Sequence, residues 1–201
     1  MKRFLLMIAI TGSLVATATA QMNMNGMDGM GAMGDSSTKA LMPLKGKAYD
    51  IAWLSQMIEH HRGAVSMAQL CVKTCVDKDI KGAAQQIVGD QDKEIKQMTA
   101  WLRSWYNATP DPRQMALMKA DMKPMMDSSM GNMRPMAGMK HATDRSFLDG
   151  MIPHHQHAVD MGKDASKRAL RPELRVYAQS VVTGQGAEIK QFKRWLETKK
   201  I

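Results

Sequence analysis

The chain has no apolar run long enough to cross a bilayer as a helix. The run from Phe4 to Ala16 falls short of the roughly 20 residues that spanning requires. No cysteine follows the small residues Ala18-Thr19-Ala20, so a lipid anchor at that point has no attachment atom. Aromatics are few: three Tyr, three Phe and four Trp in 201 residues leave little surface for stacking bases. No stretch alternates like a strand. No nucleophile, base and orienting group stand together as hydrolysis would need, so an enzyme is not the expected reading.

The first twenty residues explain the apolar run. Met1-Lys2-Arg3 is a short basic start, the apolar stretch follows, and Ala18-Thr19-Ala20 forms an A-x-A cleavage site. Residues 1–20 read as a Sec-type signal peptide cut between Ala20 and Gln21, which predicts a soluble, periplasmic or secreted protein. Loss of Lys2 and Arg3 lowers the formal charge from +9 to +7. In an exported protein that charge is a solvated basic surface rather than a nucleic-acid footprint. Residues 21–47 carry Met22, Met24, Met27, Met30 and Met33 among Asn, Gly and Asp and are expected to be flexible. Residues 48–201 form the folded domain.

Methionine is the abundant residue: 22 in all, 20 of them after the signal peptide. Two of these methionines open a repeat. Met57-Ile58-Glu59-His60-His61-Arg62-Gly63-Ala64-Val65-Ser66-Met67 returns 94 positions later as Met151-Ile152-Pro153-His154-His155-Gln156-His157-Ala158-Val159-Asp160-Met161. The match extends without a gap over 50–105 and 144–199, with 20 of 56 positions identical. That is a duplicated supersecondary unit.

Each unit reads as two helices. Trp53, Leu54, Met57, Ile58, His61, Val65 and Ala68 recur at helical spacing, and so do Ile80, Ile87, Ile95, Met98 and Leu102. Asp79 is a candidate cap for the second helix; in the other copy Pro172 and Glu173 mark the corresponding start. Two such hairpins predict an all-α four-helix bundle with helices of roughly 25 residues. Residues 107–142 connect the hairpins and carry nine methionines, including Met115, Met118, Met122, Met126 and Met130. Thr109 or Asp111 is expected to cap a short helix there through Met122, ended by Pro124. The connection is long enough for a monomer or a hairpin-swapped dimer.

On a helical wheel Met57, His60, His61 and Met67 fall within one arc of roughly 120° around the small Ala64. Met151, His154, His155 and Met161 repeat it around Ala158, with His157 added. Thioether sulfur carries no charge and binds hard cations poorly; it favours Cu(I) and Ag(I), and imidazole also accepts copper, including Cu(II). The competing reading makes methionine core filler and histidine a polar layer. The methionines of 21–47 lie in sequence that cannot build a core, which favours the metal. Cys71 and Cys75 share the helix face near Met67. A disulfide four residues apart inside a regular helix is geometrically poor, so the pair is either a dithiolate copper site or two small core residues. Glu94 and Glu188, each in Gln-x-x-Glu-Ile-Lys-Gln, are surface groups or acceptors that orient a histidine. Pro153 predicts a kink beside the second copy and two sites of unequal shape.

The Met-x-x-His-His-x-x-Ala-x-x-Met and Gln-x-x-Glu-Ile motifs resemble those of a bacterial family, the domain of unknown function 305, over about residues 48–200. The resemblance implies a ferritin-like four-helix bundle, copper binding and copper tolerance. It places metal candidates at Met57, His60, His61, Met67, Met151, His154, His155 and Met161. The expected function is sequestration or shuttling of Cu(I), with a copper-exporting or copper-receiving envelope protein as partner. The alternative is a ferritin-like oxidase of the cuprous or di-iron type. Against the di-iron form, the positions three before the paired histidines hold Met57, Ile58, Met151 and Ile152 rather than glutamate.

Overall fold

The computed structural model describes residues 35–133 and 141–201. Residues 1–20, read from sequence as a signal peptide, Met22 to Met33, Met136 and Met139 lie outside them. Six helices follow in order: α1 (Asp35–Leu41), α2 (Gly46–Thr74), α3 (Lys78–Tyr106), α4 (Pro112–Asn132), α5 (Ala142–Arg168) and α6 (Pro172–Thr198). Among the described residues there is no strand, and no helix is long and apolar enough to cross a membrane.

The two sequence repeats are the hairpins α2–α3 and α5–α6, with helices of 29, 29, 27 and 27 residues. α2 packs on α5, and the four form the expected bundle. α2 touches α1, α3, α4 and α5, so it is buried on nearly every side. α3 faces solvent on its outer side and buries one stripe, Ile80, Ala84, Ile87, Gln91, Met98 and Leu102. Between α5 and α6 the backbones approach so closely at Gly162 that a Cβ there would stand 2.8 Å from the Ala178 carbonyl oxygen.

Four local expectations change. The cap of α3 is Asp77, whose carboxylate accepts from the N–H groups of Asp79 and Ile80, because the helix starts two residues earlier than the Asp79 reading requires. Asp111 caps α4 as anticipated, but the helix runs through Pro124 to Asn132. Pro124 and Ala120 are both exposed, so water can satisfy the carbonyl the proline leaves free, while Met118, Met122 and Ser129 hold the opposite face in the core. Part of the 21–47 segment is ordered: α1 is tied down by Ser37 N–H donating to Asp121 (2.7 Å) and by Gln56 donating to the Ser37 carbonyl (2.9 Å). Cys71 and Cys75 form a disulfide with Cα atoms 4.8 Å apart. Its geometry is accessible because α2 stops at Thr74 and Cys75 is already extended. A dithiolate copper site is thereby replaced by a staple at the helix end.

One duplicated residue locks the hairpins together reciprocally. Asp50, fully buried on α2, accepts from the backbone N–H groups of Leu170 and Arg171 at the α5–α6 turn (2.8 and 3.1 Å). Asp144, its copy on α5, accepts from Val76 and Asp77 at the α2–α3 turn (2.9 and 3.1 Å). Each carboxylate thus satisfies donors of the opposite hairpin. Tyr106 adds a bond to Asp50 at 2.6 Å, and His141 one to Asp144 at 2.7 Å. Charged hydrogen bonds of this kind are worth about 1.5–3 kcal/mol each. Asp144→Ala is expected to lower unfolding free energy by about 3 kcal/mol in urea titration; a loss below about 1 kcal/mol would show that the clasp is incidental.

Candidate metal centre

The two motif copies meet head to tail where α2 crosses α5. Met57 and Met161 belong to one apolar cluster with Met118 and Met122; Met67 and Met151 belong to another with Met133. Met126 touches both clusters. The histidines occupy the level between. A polar layer is therefore sandwiched between two methionine-rich ones, and α4 supplies methionine to all three levels.

In the layer the His60 and His154 rings are 3.9 Å apart between centroids, and His60 and His157 are 5.3 Å apart. His60, His61, His154 and His155 are completely buried. His60 Nε2 donates to the backbone carbonyl of His154 at 3.1 Å, which leaves its Nδ1 as a bare lone pair with no partner. Both ring nitrogens of His154 are unpartnered, as is His157 Nε2. Burial drives the pKa of His60 and of His154 well below the usual histidine range, and the neighbouring imidazoles push the same way. His157 is lowered too, by burial, with Asp121 and Asp160 opposing. These rings are neutral at physiological pH, the form a metal needs.

Gly63 opens the space beside them. A Cβ at that position would lie 3.0 Å from Met126 Sδ, 3.2 Å from His154 Nε2 and 3.3 Å from Met122 Cε. A thioether sulfur and an orphaned imidazole nitrogen therefore converge on one point. Among the described residues no three His, Cys, Asp or Glu side chains close into a group able to hold an ion by themselves. The groups that converge beside Gly63 are imidazole nitrogen and thioether sulfur, a combination that suits soft ions better than hard ones.

His61 and His155 point to the other side of their helices. His61 Nε2 lies 2.6 Å from Glu94 and 3.3 Å from the Tyr177 hydroxyl. His155 Nε2 lies 2.9 Å from Glu188 but off the line of a hydrogen bond, and its ring stacks on Phe192. In the repeat, Tyr177 corresponds to Ala83 and Phe192 to Met98, so the two copies are unequal in their partners. Burial first, then Glu94, pushes the Tyr177 phenol above its usual range.

The arc of four ligands per helix is thus divided. His60, His154, His157, Met122 and Met126 come together; Met57, Met161 and Met118 lie in the apolar cluster on one side, and Met67, Met151 and the half-buried Met130 belong to the other. Met115 is half-buried on α4 and belongs to neither cluster. Gly63 and the buried Met133 were not singled out by the sequence reading. A glycine amid a strong helical pattern was the available signal for the first. α5 continues through Pro153 as helix.

A buried imidazole–thioether layer inside a duplicated helical bundle defines the class of protein. The comparisons specify it. Residues 7–102 and 64–196 each match the model described as domain of unknown function (DUF305), and the chain belongs to that family. The structure is similar to CopM in the Cu(I)-bound form, 27% identical with a TM-score of 0.62, covering 76% of this chain and 98% of CopM. CopM is also solved in Cu(II)-bound, silver-bound and apo forms. A Streptomyces coelicolor DUF305 protein described as secreted is 26% identical with a TM-score of 0.59, over 71% of this chain and 88% of that one. Uncharacterized protein L153 of Acanthamoeba polyphaga mimivirus is 33% identical over 58 residues, 29% of this chain; the chain spans 38% of that relative's length.

The lowered histidine pKa values set a pH dependence. Unfolding restores an ordinary pKa near 6.5, so below that the unfolded chain binds more protons than the folded one. The stability contributed by keeping these rings neutral is complete above about pH 6.5 and is lost as pH falls. Metal-free protein is expected to lose up to about 1.4 kcal/mol per pH unit for each of His60 and His154, read from urea midpoints between pH 7 and 5. A flat profile across that range would contradict burial of neutral rings.

Proposed function

We propose that this is an exported copper-binding protein that takes up Cu(I) between α2, α4 and α5 and buffers or shuttles it in the periplasm. The observation that carries the reading is His154: fully buried, with both ring nitrogens unpartnered, and with Nε2 beside the same point as Met126 Sδ. A buried polar atom without a partner costs about 1–3 kcal/mol, a penalty that a ligated ion removes. Similarity to CopM, solved with Cu(I), Cu(II) and silver, supports copper as the cargo, and the secreted relative supports export. The methionines of 21–47 would gather ions and pass them inward, and an envelope protein that exports or receives copper would be the exchange partner. Binding rather than turnover is the role.

Gly63→Ala tests the pocket with little damage to the fold. The added methyl fills the gap between sulfur and nitrogen, while alanine's helix propensity, better by about 1 kcal/mol, offsets a shift of a few tenths of an ångström in the Met122 and Met126 side chains and the His154 ring. Cu(I) affinity, measured by competition with a chromogenic chelator, is expected to fall at least tenfold with the urea midpoint nearly unchanged. Wild-type affinity in this variant would place copper on the outer methionines instead.

A further inference from the structure

The Gln-x-x-Glu motif has no part in the Cu(I) pocket, yet both its copies face one cleft. Its walls are α3 and α6, its volume is about 160 Å³, and Gln91, Glu94, Gln185 and Glu188 line it together. Spacing of three places each Gln and Glu on the same face of its helix. The glutamines are only 4% and 5% exposed, and the side-chain oxygen of each has no partner. Two buried acceptors without donors, beside the carboxylates of Asp90, Glu94 and Glu188, make a lining without Lys or Arg; Lys93 pairs with Asp90 at 2.9 Å. Behind the carboxylates stand two imidazoles: His61 Nε2, bound to Glu94, and His155 Nε2, adjacent to Glu188 yet hydrogen-bonded to nothing.

We propose that the α3–α6 cleft is a second metal site, built for a divalent ion of borderline softness such as Cu(II) or Zn(II). The cleft's lining offers amide and carboxylate oxygen and no sulfur, and an unclaimed imidazole nitrogen, His155 Nε2, stands 2.9 Å behind the Glu188 carboxylate. That set fits Zn(II) and Cu(II), whereas Cu(I) prefers the thioethers on the other side of the bundle. The volume accommodates an ion with a few waters, each of which occupies about 30 Å³ in the liquid. The carboxylates stand on opposite walls and do not form a closed group of three, so the ion bridges the helices and water completes its coordination. His155 is the nitrogen ligand, since its Nε2 is unclaimed; His61 holds Glu94 in place as hydrogen-bond donor. No residue is shared with the Cu(I) pocket, so this site does not depend on that reading.

The test is Zn(II) titration against a competing chelator, together with electron paramagnetic resonance of Cu(II), on the full mature chain. One equivalent is expected to bind with micromolar or tighter affinity, and the Cu(II) spectrum to show coupling to nitrogen. Glu94→Gln with Glu188→Gln is expected to weaken Zn(II) at least tenfold, with Cu(I) competition unchanged. Should that pair fail to fold, Gln91→Leu with Gln185→Leu removes the amide oxygens and is expected to weaken Zn(II) several-fold. Absence of Zn(II) binding in the wild type overturns the proposal. So does full binding in either folded double variant, which would move the ion to a group outside the cleft, such as the partly exposed His141. Loss of Cu(I) binding with Zn(II) retained in Gly63→Ala would separate this site from the other.

Discussion

The contact of His60 with His154, ring against ring at the crossing of α2 and α5, constrains everything around it. Two neutral imidazoles with unpartnered nitrogens are an unfavourable thing to bury, and the interior contains more than two. The bundle must therefore derive its stability from elsewhere and hold these rings against the tendency to rehydrate. It does so with apolar methionine-rich clusters above and below the histidine level, and with the reciprocal Asp50 and Asp144 clasps that prevent the hairpins from separating. α4 completes the enclosure. Without it, the open side of α2 would expose Gly63 and the layer to water.

Duplication explains why one fold presents two kinds of chemistry. Adjacent histidines on a helix diverge by about 100°, so a His-His pair necessarily addresses two sides. His60 and His154 turn inward toward α4 and its sulfur. His61 and His155 turn toward α3 and α6 and their carboxylates. One motif thus seeds a sulfur-bearing layer and an oxygen-bearing cleft, separated by the width of a helix. The copies differ at the partners of these rings: Tyr177 and Phe192 stand where the first unit carries Ala83 and Met98.

Most of the fold was legible in the chain, because helical periodicity and an ungapped repeat are local signals. The hairpins and their approximate lengths follow from spacing, and Asp111 was one of two candidate caps, with Thr109. The burial of His60, His61, His154 and His155 on one bundle interior was also foreshadowed. What a single-helix wheel could not show is how two arcs meet. Met57, Met67, Met151 and Met161 share an arc with the histidines on the wheel, and the antiparallel crossing divides them between two apolar clusters. Met122 and Met126, which converge with His154 on Gly63, come from a segment outside the repeat. That segment is helical past Pro124 because its exposed side tolerates a missing hydrogen bond, which depends on tertiary placement. The disulfide likewise depended on where α2 ends: one residue more of helix and Cys71 and Cys75 would be badly oriented.

The central claim is that copper sits among nitrogen and sulfur together, inside the bundle. X-ray absorption at the copper edge of protein loaded with one equivalent of Cu(I) tests it most directly. The account predicts a low-coordinate ion with both imidazole nitrogen and thioether sulfur as neighbours, and loss of the imidazole scattering in His154→Ala. A shell of sulfur alone, unchanged by that substitution, would contradict it and assign the ion to the methionine-rich segments.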